Sequence, residues 1–279
     1  MSDREIVLIT GCSSGIGRAL ALEFAGRGMH VVATARRLES MQELAEQGMT
    51  TRALDINDAE AVERVVGGIV EEFGHIDYLV NNAGINLVGP TVEIPLDQIR
   101  KQLETNVTAQ IAVTQAVAPF MMRRRSGRIV NITSVMAVMT VPFSGPYCAA
   151  KAAFQSFSDA LRMELAPFNI QVIAVPAGAV RSSISANAEQ SRSEYTRPDS
   201  LYKAAEEGIH KRVHASQQHP LPTEDFARKL VERATRRHPP RYIRIGNGAK
   251  RWAFFKRAIP SVILDRVLSK IFQLDRVRP

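Results

Sequence analysis

Tyr147 and Lys151 stand four residues apart in a segment that reads helical, which puts a phenol and an ammonium on one helix face. A free tyrosine, with a pKa of about 10, is a poor proton shuttle near neutrality. A neighbouring cation favours the phenolate and draws that value toward the working pH. Ser134, on another segment, offers a hydroxyl able to hold a substrate oxygen while the tyrosine gives or takes its proton. Such a trio interconverts a carbonyl and an alcohol, provided something supplies a hydride. On its own, Tyr-x-x-x-Lys is common and usually marks a solvated helix face, so the assignment depends on what the rest of the chain builds around it.

Glu5–Thr10 is a short, nearly continuous apolar run, the mark of a strand buried on both faces. It leads into Gly11-Cys12-Ser13-Ser14-Gly15-Ile16-Gly17, an amphipathic helix from Arg18 to Gly26, and a second apolar strand, His30–Ala35. Strand, glycine-rich turn, helix and parallel strand make a βαβ unit. Its glycines let backbone N–H groups approach a pyrophosphate at the positive end of the helix, with Gly11, Ser13, Ser14, Gly15, Ile16 and Gly17 as the loop positions that meet it. Strands at 51–56, 76–80, 127–133 and 170–175 alternate with helices at 59–73, 96–124 and from Tyr147 to about Ala166. The predicted fold is α/β, a Rossmann-type doubly wound parallel sheet with helices on both faces, whose ligands bind at the carboxyl ends of the strands. The glycine loop, Asp55, Asn81-Asn82-Ala83-Gly84, Ser134 and Gly178 all fall at those ends.

A chain of 279 residues, 45% hydrophobic, has enough apolar material for one sizeable core, and 1–279 reads as a single domain. After Val180 the alternation stops. Residues 181–222 are polar, with turn signals at Pro198, Pro220 and Pro222, and are too long for an ordinary loop, so they read as a substrate lid or a partly disordered segment. A helix from Asp225 to Arg237 and a short strand, Tyr242–Ile245, follow. Cys12 and Cys148 lie far apart and give neither a disulfide framework nor metal-ligand spacing, so no metal is expected and a reducing compartment is the economical reading.

Charge is unevenly placed. Residues 228–279 carry 15 Lys/Arg and 3 Asp/Glu, a net +12, and the rest of the chain carries a net −4. A mildly acidic body with a strongly basic tail points to an anionic partner for the tail. Nucleic acid is disfavoured, because the tail has no recognisable motif for it and few aromatics. The extension 246–279 reads as two apolar-basic helical pieces split by Pro260. Trp252, Phe255, Ile259, Val262, Ile263, Val267 and Ile271 recur at three- and four-residue spacing, with Lys256, Arg257, Arg266 and Lys270 among or beside them. The apolar face either packs on the lid or another subunit, or lies in a membrane interface with its cations toward anionic headgroups. The charged start, Met1–Glu5, and the lack of any bilayer-length apolar run lead to the expectation of a cytoplasmic protein, peripheral at a membrane surface if the second reading of the tail holds.

Thr10-Gly-x-x-x-Gly-x-Gly17, Asn81-Asn-Ala-Gly84, Asn106, Ser134 and Tyr147-x-x-x-Lys151, in this order, resemble the short-chain dehydrogenase/reductase family over residues 5 to about 185. The resemblance implies that Tyr147 is the general acid of carbonyl reduction and that Lys151 lowers its pKa and holds the nicotinamide ribose. It implies that Ser134 bonds the substrate oxygen, and that Asn106 holds a water linking Lys151 to solvent. It places Asp55 and Ile56 at adenine, Asn82, Ala83 and Gly84 beside adenosine, and Gly178, Val180 and Ser182 at the carboxamide. The family's usual Pro-Gly is replaced here by Ala177-Gly178, with Pro176 one place earlier. Family habit implies a homodimer or homotetramer.

Cofactor choice has a physical basis. An acidic residue at the end of the second strand would bind a ribose 2′-hydroxyl and repel a 2′-phosphate. Ala35 stands there, followed by Arg36 and Arg37, and a guanidinium fork suits a phosphate, so NADP(H) is expected.

A narrower resemblance is carried by residues 35–41, 167–172, 222–231 and 268–277. These are similar to fungal NADPH-dependent 1-acyl-dihydroxyacetone-phosphate reductases and their bacterial relatives, a subgroup whose relatives include steroid and retinoid dehydrogenases. It implies a ketone reductase acting on a hydrophobic, lipid-like substrate. Two other classes compete with it. A non-catalytic dinucleotide sensor would not need the set Asn106, Ser134, Tyr147 and Lys151, and a membrane-surface protein working through its tail alone would ignore NADPH.

Overall fold

The computed structural model describes residues 4–182, 184–193, 197–249, 255 and 258–277. Six strands form one parallel sheet in the order β3-β2-β1-β4-β5-β6. They are β1 Ile6–Thr10, β2 His30–Ala35, β3 Thr50–Ala53, β4 Tyr78–Asn81, β5 Gly127–Ser134 and β6 Ile170–Ala177. The order reverses beside β1, and there the carboxyl ends open a crevice for ligands. All five residues of β1 are buried, as their continuous apolar run requires of a strand covered on both faces.

The helices follow from the sequence pattern. α1 Gly15–Gly26, α2 Gln42–Glu46 and a later helix, Thr223–Ala234, cover one face of the sheet around Leu20, Phe24, Phe226 and Leu230. α3 Ala59–Phe73 and α5 Ala109–Arg124 cover the other around Val62, Val66, Ile69 and Val113. Fully burying an aliphatic or aromatic side chain of this size contributes about 1.5–3 kcal/mol. α3 starts where Asp58 accepts the Ala61 N–H at 2.9 Å and stops at left-handed Gly74.

Several boundaries differ from the sequence reading. β3 ends at Ala53, not Ile56, because the Asp55 carboxylate accepts from the Asn57 backbone and side-chain N–H groups at 3.0 and 2.8 Å and turns the chain out of the sheet. The predicted helix 96–124 is α4 Leu96–Leu103, a π-helical turn Glu104–Thr108, and α5. Residues 181–222 are not simply a loop: they hold α7 Ile184–Ser193 and α8 Glu206–His214. The Thr223–Ala234 helix, α9, ends three residues before Arg237. Tyr242 and Ile245 meet β6 only at isolated bridges.

A third apolar cluster lies beyond the sheet. α6 Gly145–Glu164 contributes Cys148, α8 contributes Ile209 and Val213, and α10 Ser261–Ile271 contributes Leu264 and Leu268, with Phe272 just after it. Pro260 opens α10, so the proline break lies where the sequence reading places it. Gly208 lets α10 dock closely, since a Cβ there would fall on the Phe272 carbonyl. Of the tail residues singled out from sequence, Trp252, Lys256 and Arg257 lie outside the described residues. No helix among the described residues is long and apolar enough to cross a membrane.

Candidate active site

One side-chain network fixes the floor of the crevice. Asn81 donates to Thr114 Oγ1 and to Asn131 Oδ1, each at 2.9 Å, and Asn131 donates to Ser158 Oγ at 2.9 Å. This buried chain ties β4, β5, α5 and α6 together below the site. Above it, Thr10 Oγ1 accepts the N–H groups of Asn82 and Ala83 at 3.0 and 3.1 Å, and Asn82 Nδ2 donates to the carbonyls of Thr10 and Gly11 at 2.9 and 3.1 Å. The glycine loop is thereby clipped to the turn that follows β4.

Three polar residues at four-residue intervals along the α4–π–α5 helix then hold the segment after that turn. Gln110 donates to the Ala83 carbonyl. Asn106 accepts the Ile85 N–H and donates to the Ile85 carbonyl, both at 2.8 Å. Gln102 accepts the Leu87 N–H at 2.6 Å. A helix face supplies the bonds a neighbouring strand would otherwise supply. Asn106 therefore has the structural role open to a buried helix asparagine, and it also stands beside Lys151: a Cβ on Gly84 would lie 3.1 Å from Asn106 Oδ1 and 3.9 Å from Lys151 Nζ.

At the ends of β1, β4, β5 and β6 opens a cavity of about 730 Å³. It is lined by Gly11, Ser13, Ser14, Gly15, Ile16, Arg36, Asp55, Ile56, Asn82, Ala83, Gly84, Ser134, Tyr147, Lys151, Gly178, Val180 and Ser182. Three residues expected at the site lie off its wall. Gly17 sits beneath the loop, where a Cβ would strike the Gly11 carbonyl, so its role is close packing. Arg37 opens the short turn Leu38–Met41, and of the two arginines Arg36 alone lines the cavity. Asn106 is fully buried behind Gly84.

The floor fits a dinucleotide. Gly11 has φ +75° and no room for a Cβ against Ala83, so at this position the loop presents bare backbone to a phosphate. Gly178 likewise takes the Asn247 backbone against it, and its N–H donates to the Ile245 carbonyl at 2.8 Å. Pro176 lies within β6, paired with Thr133, so the displaced proline leaves the Gly178 turn in place.

The reacting groups converge. Ser134 Oγ accepts the Met136 N–H at 3.1 Å, and Ser134 and Tyr147 line the cavity together. Lys151 Nζ stands 5.9 Å from the centre of the Tyr147 ring and donates to the Ile132 carbonyl at 3.0 Å. Burial brings the Lys151 pKa down to about 8. At Tyr147 burial dominates and raises the pKa, while the lowering influences are the Ser134 hydrogen bond and the cation of Arg212. At neutral pH the resting phenol is therefore protonated, the state that donates.

The sequence reading missed Arg212 and most of the apolar wall, Met136, Val141, Ile184, Leu268 and Phe272, while Ile271 of that wall belongs to the apolar face singled out in the tail. A signal for Arg212 exists: it shares the core-facing side of α8 with Gly208, Ile209 and Val213.

The model for short chain dehydrogenases matches residues 5–193. The chain is 38% identical over 187 residues to the NADPH-dependent 1-acyldihydroxyacetone phosphate reductase of Schizosaccharomyces pombe, across 66% of this chain and 62% of that protein. It therefore spans less than two thirds of that relative's length. It is 31% identical over 278 residues to the NADPH-dependent 3-dehydrocapnine reductase of Ornithobacterium rhinotracheale, across 96% of each. Among solved structures, a short-chain dehydrogenase from Streptomyces avermitilis is similar with a TM-score of 0.78 at 27% identity, covering 99% of this chain and 98% of that one. The parallel sheet agrees with the structural match, and the chain belongs to the short-chain dehydrogenase family.

Proposed function

We propose that the chain is an NADPH-dependent reductase that interconverts a ketone and a secondary alcohol on a hydrophobic, lipid-like substrate, with an acyl-dihydroxyacetone phosphate as the leading candidate and a steroid or retinoid as the alternative. One observation carries the reading: Ser134, Tyr147 and Lys151 line the same cavity as the glycine loop, under an apolar wall from α10. The nicotinamide supplies the hydride when bound. Ser134 and Tyr147 hold the carbonyl oxygen, and Tyr147 gives it a proton as it gains charge. The phenolate left behind is stabilised by the Arg212 and Lys151 cations. The test follows NADPH loss with long-chain ketones, acyl-ketone phosphates, steroids and retinal; a protein that binds NADPH and reduces none of them refutes the proposal.

Arg36 carries the cofactor preference in this reading. Ala35→Asp combined with Arg36→Ser should move the kcat/KM ratio of NADPH to NADH at least tenfold toward NADH, because a carboxylate replaces the phosphate fork. Arg37→Ser alone should leave the ratio nearly unchanged, since Arg37 does not line the cavity.

Membrane contact belongs to the same proposal. Leu264 and Leu268 face inward from α10, whereas Ile263, Val267 and Ile271, again four residues apart, are 52%, 47% and 38% exposed. Ile271 also lines the cavity, so this stripe leads toward the substrate wall, with exposed Arg266 and Lys270 beside it. Sedimentation with anionic vesicles should be salt-sensitive and should fall when Ile263 and Val267 are changed to Ser; equal recovery with neutral vesicles, or no recovery, removes the membrane contact. A homodimer or homotetramer completes the proposal, with Phe157 and Met163 exposed on α6 as apolar surface for a second copy.

A further inference from the structure

Arg212 is the least explained charge in the structure. It is 7% exposed, lines the cavity that holds Ser134 and Tyr147, and its Nε has no hydrogen-bond partner. Among the described residues it makes no ion pair. The carboxylates on its own helix are engaged elsewhere: Glu206 pairs with Arg192, and Glu207 accepts from Gln273 and Arg276. The acidic residue lining the cavity is Asp55, at the end reserved for adenosine, while Lys211 adds a second cation next to Arg212. Arg212 and Tyr147 line the same cavity, and the Arg212 cation is among the influences that lower the Tyr147 pKa.

A buried, unpaired guanidinium destabilises a fold, and such groups are normally matched by an opposite charge. Here the described residues provide none, and Arg212 lines the cavity that holds Ser134 and Tyr147. A guanidinium in that position recognises a carboxylate, sulfonate or phosphate through paired N–H donors. The apolar wall of Leu268, Ile271 and Phe272 lines the same space.

We infer that Arg212 is the anion-recognising residue of the substrate site, and that the substrate is an amphiphile that carries an anionic group as well as its ketone, with an apolar chain along α10. This rests on the proposed reductase reading only for the ketone; the anion site itself can be measured without turnover.

The NADPH-saturated protein is titrated calorimetrically with dodecyl phosphate and with uncharged 1-dodecanol, both below their aggregation limits. Dodecyl phosphate is expected to bind at least tenfold more tightly. Arg212→Met should abolish that preference and Arg212→Lys should keep part of it, while 1-dodecanol binds all three proteins alike. Arg212→Met should also unfold at the same or a higher temperature, because it removes an uncompensated buried charge. Equal binding of both probes by the wild type, or an unchanged preference in Arg212→Met, overturns the inference. If ketones are reduced as well, the kcat/KM ratio of anionic to matched neutral ketone should fall at least tenfold in Arg212→Met; an equal drop for both would mean that Arg212 serves only Tyr147. Tight dodecyl phosphate binding by a protein that reduces no ketone would sink the reductase reading and leave the anion site standing.

Discussion

Tyr147→Phe is expected to lower kcat for ketone reduction by about 10²–10⁴-fold, the usual contribution of a positioned general acid, while NADPH still binds. The substitution removes one hydroxyl and little volume. Ser134 keeps its bond from the Met136 N–H, and Lys151 keeps its bond to the Ile132 carbonyl, so the surrounding geometry persists. Stopped-flow measurement of NADPH oxidation, with a fluorescence titration of NADPH, separates chemistry from binding. Retention of more than about a tenth of the wild-type rate would show that another group delivers the proton. The pH dependence has a definite sign. Burial raises the Tyr147 pKa, so its acid form persists through neutrality, and reduction should fall only on the alkaline side. Lys151 loses its charge as pH rises through about 8, which removes one of the cations that stabilise a phenolate. Oxidation of the alcohol needs the phenolate and should instead rise with pH.

Gly17→Ala is expected to weaken NADPH binding by about a hundredfold or more and to cost about 1–3 kcal/mol of stability, as overpacking does in a closely packed site. The added methyl would fall on the Gly11 carbonyl and lie 2.5 Å from Asn82 Nδ2. Both neighbours belong to the clip that shapes the phosphate loop, so neither can retreat without opening it. Gly68→Ala is the matched control. Gly68 is exposed inside α3 and a Cβ there meets nothing within 4 Å, so alanine should stabilise the helix by about 0.5–1 kcal/mol. NADPH titration and thermal unfolding of both variants check the pair. Normal affinity in Gly17→Ala would mean that the loop is far more compliant than its packing indicates.

Most of the sheet was legible in the sequence because five of its strands carry short apolar runs, β3 Thr50–Ala53 being the polar exception, and the reacting trio because Ser134 ends a strand and Tyr147 and Lys151 share one face of a helix. Details that depend on side-chain bonding across the fold were not. The end of β3 is set by an Asp55 turn, and the role of Gly17 by a carbonyl from six residues earlier. Asn106 was singled out, yet the repeat Gln102–Asn106–Gln110 gains its meaning only when residues 83–87 run alongside. Arg37 carries the same charge as Arg36, and a one-residue difference in direction decides which meets the cavity. The polar stretch 181–222 concealed Arg212 because composition there masks a helix with an inward face.

The two halves of the cavity come into existence at different times. Translation delivers the glycine loop, the Asn82 clip and the Ser134–Tyr147–Lys151 group first, and domains assemble from the N-terminal side as the chain emerges. Leu268, Ile271 and Phe272 are made more than a hundred residues after Tyr147, and Phe272 must still seat against Gly208. A nascent or prematurely stopped chain can thus own a complete nucleotide floor beneath an open roof, in which the reacting groups face bulk water. A dinucleotide that binds such a chain would stabilise a partly made enzyme before the apolar part of its substrate wall exists.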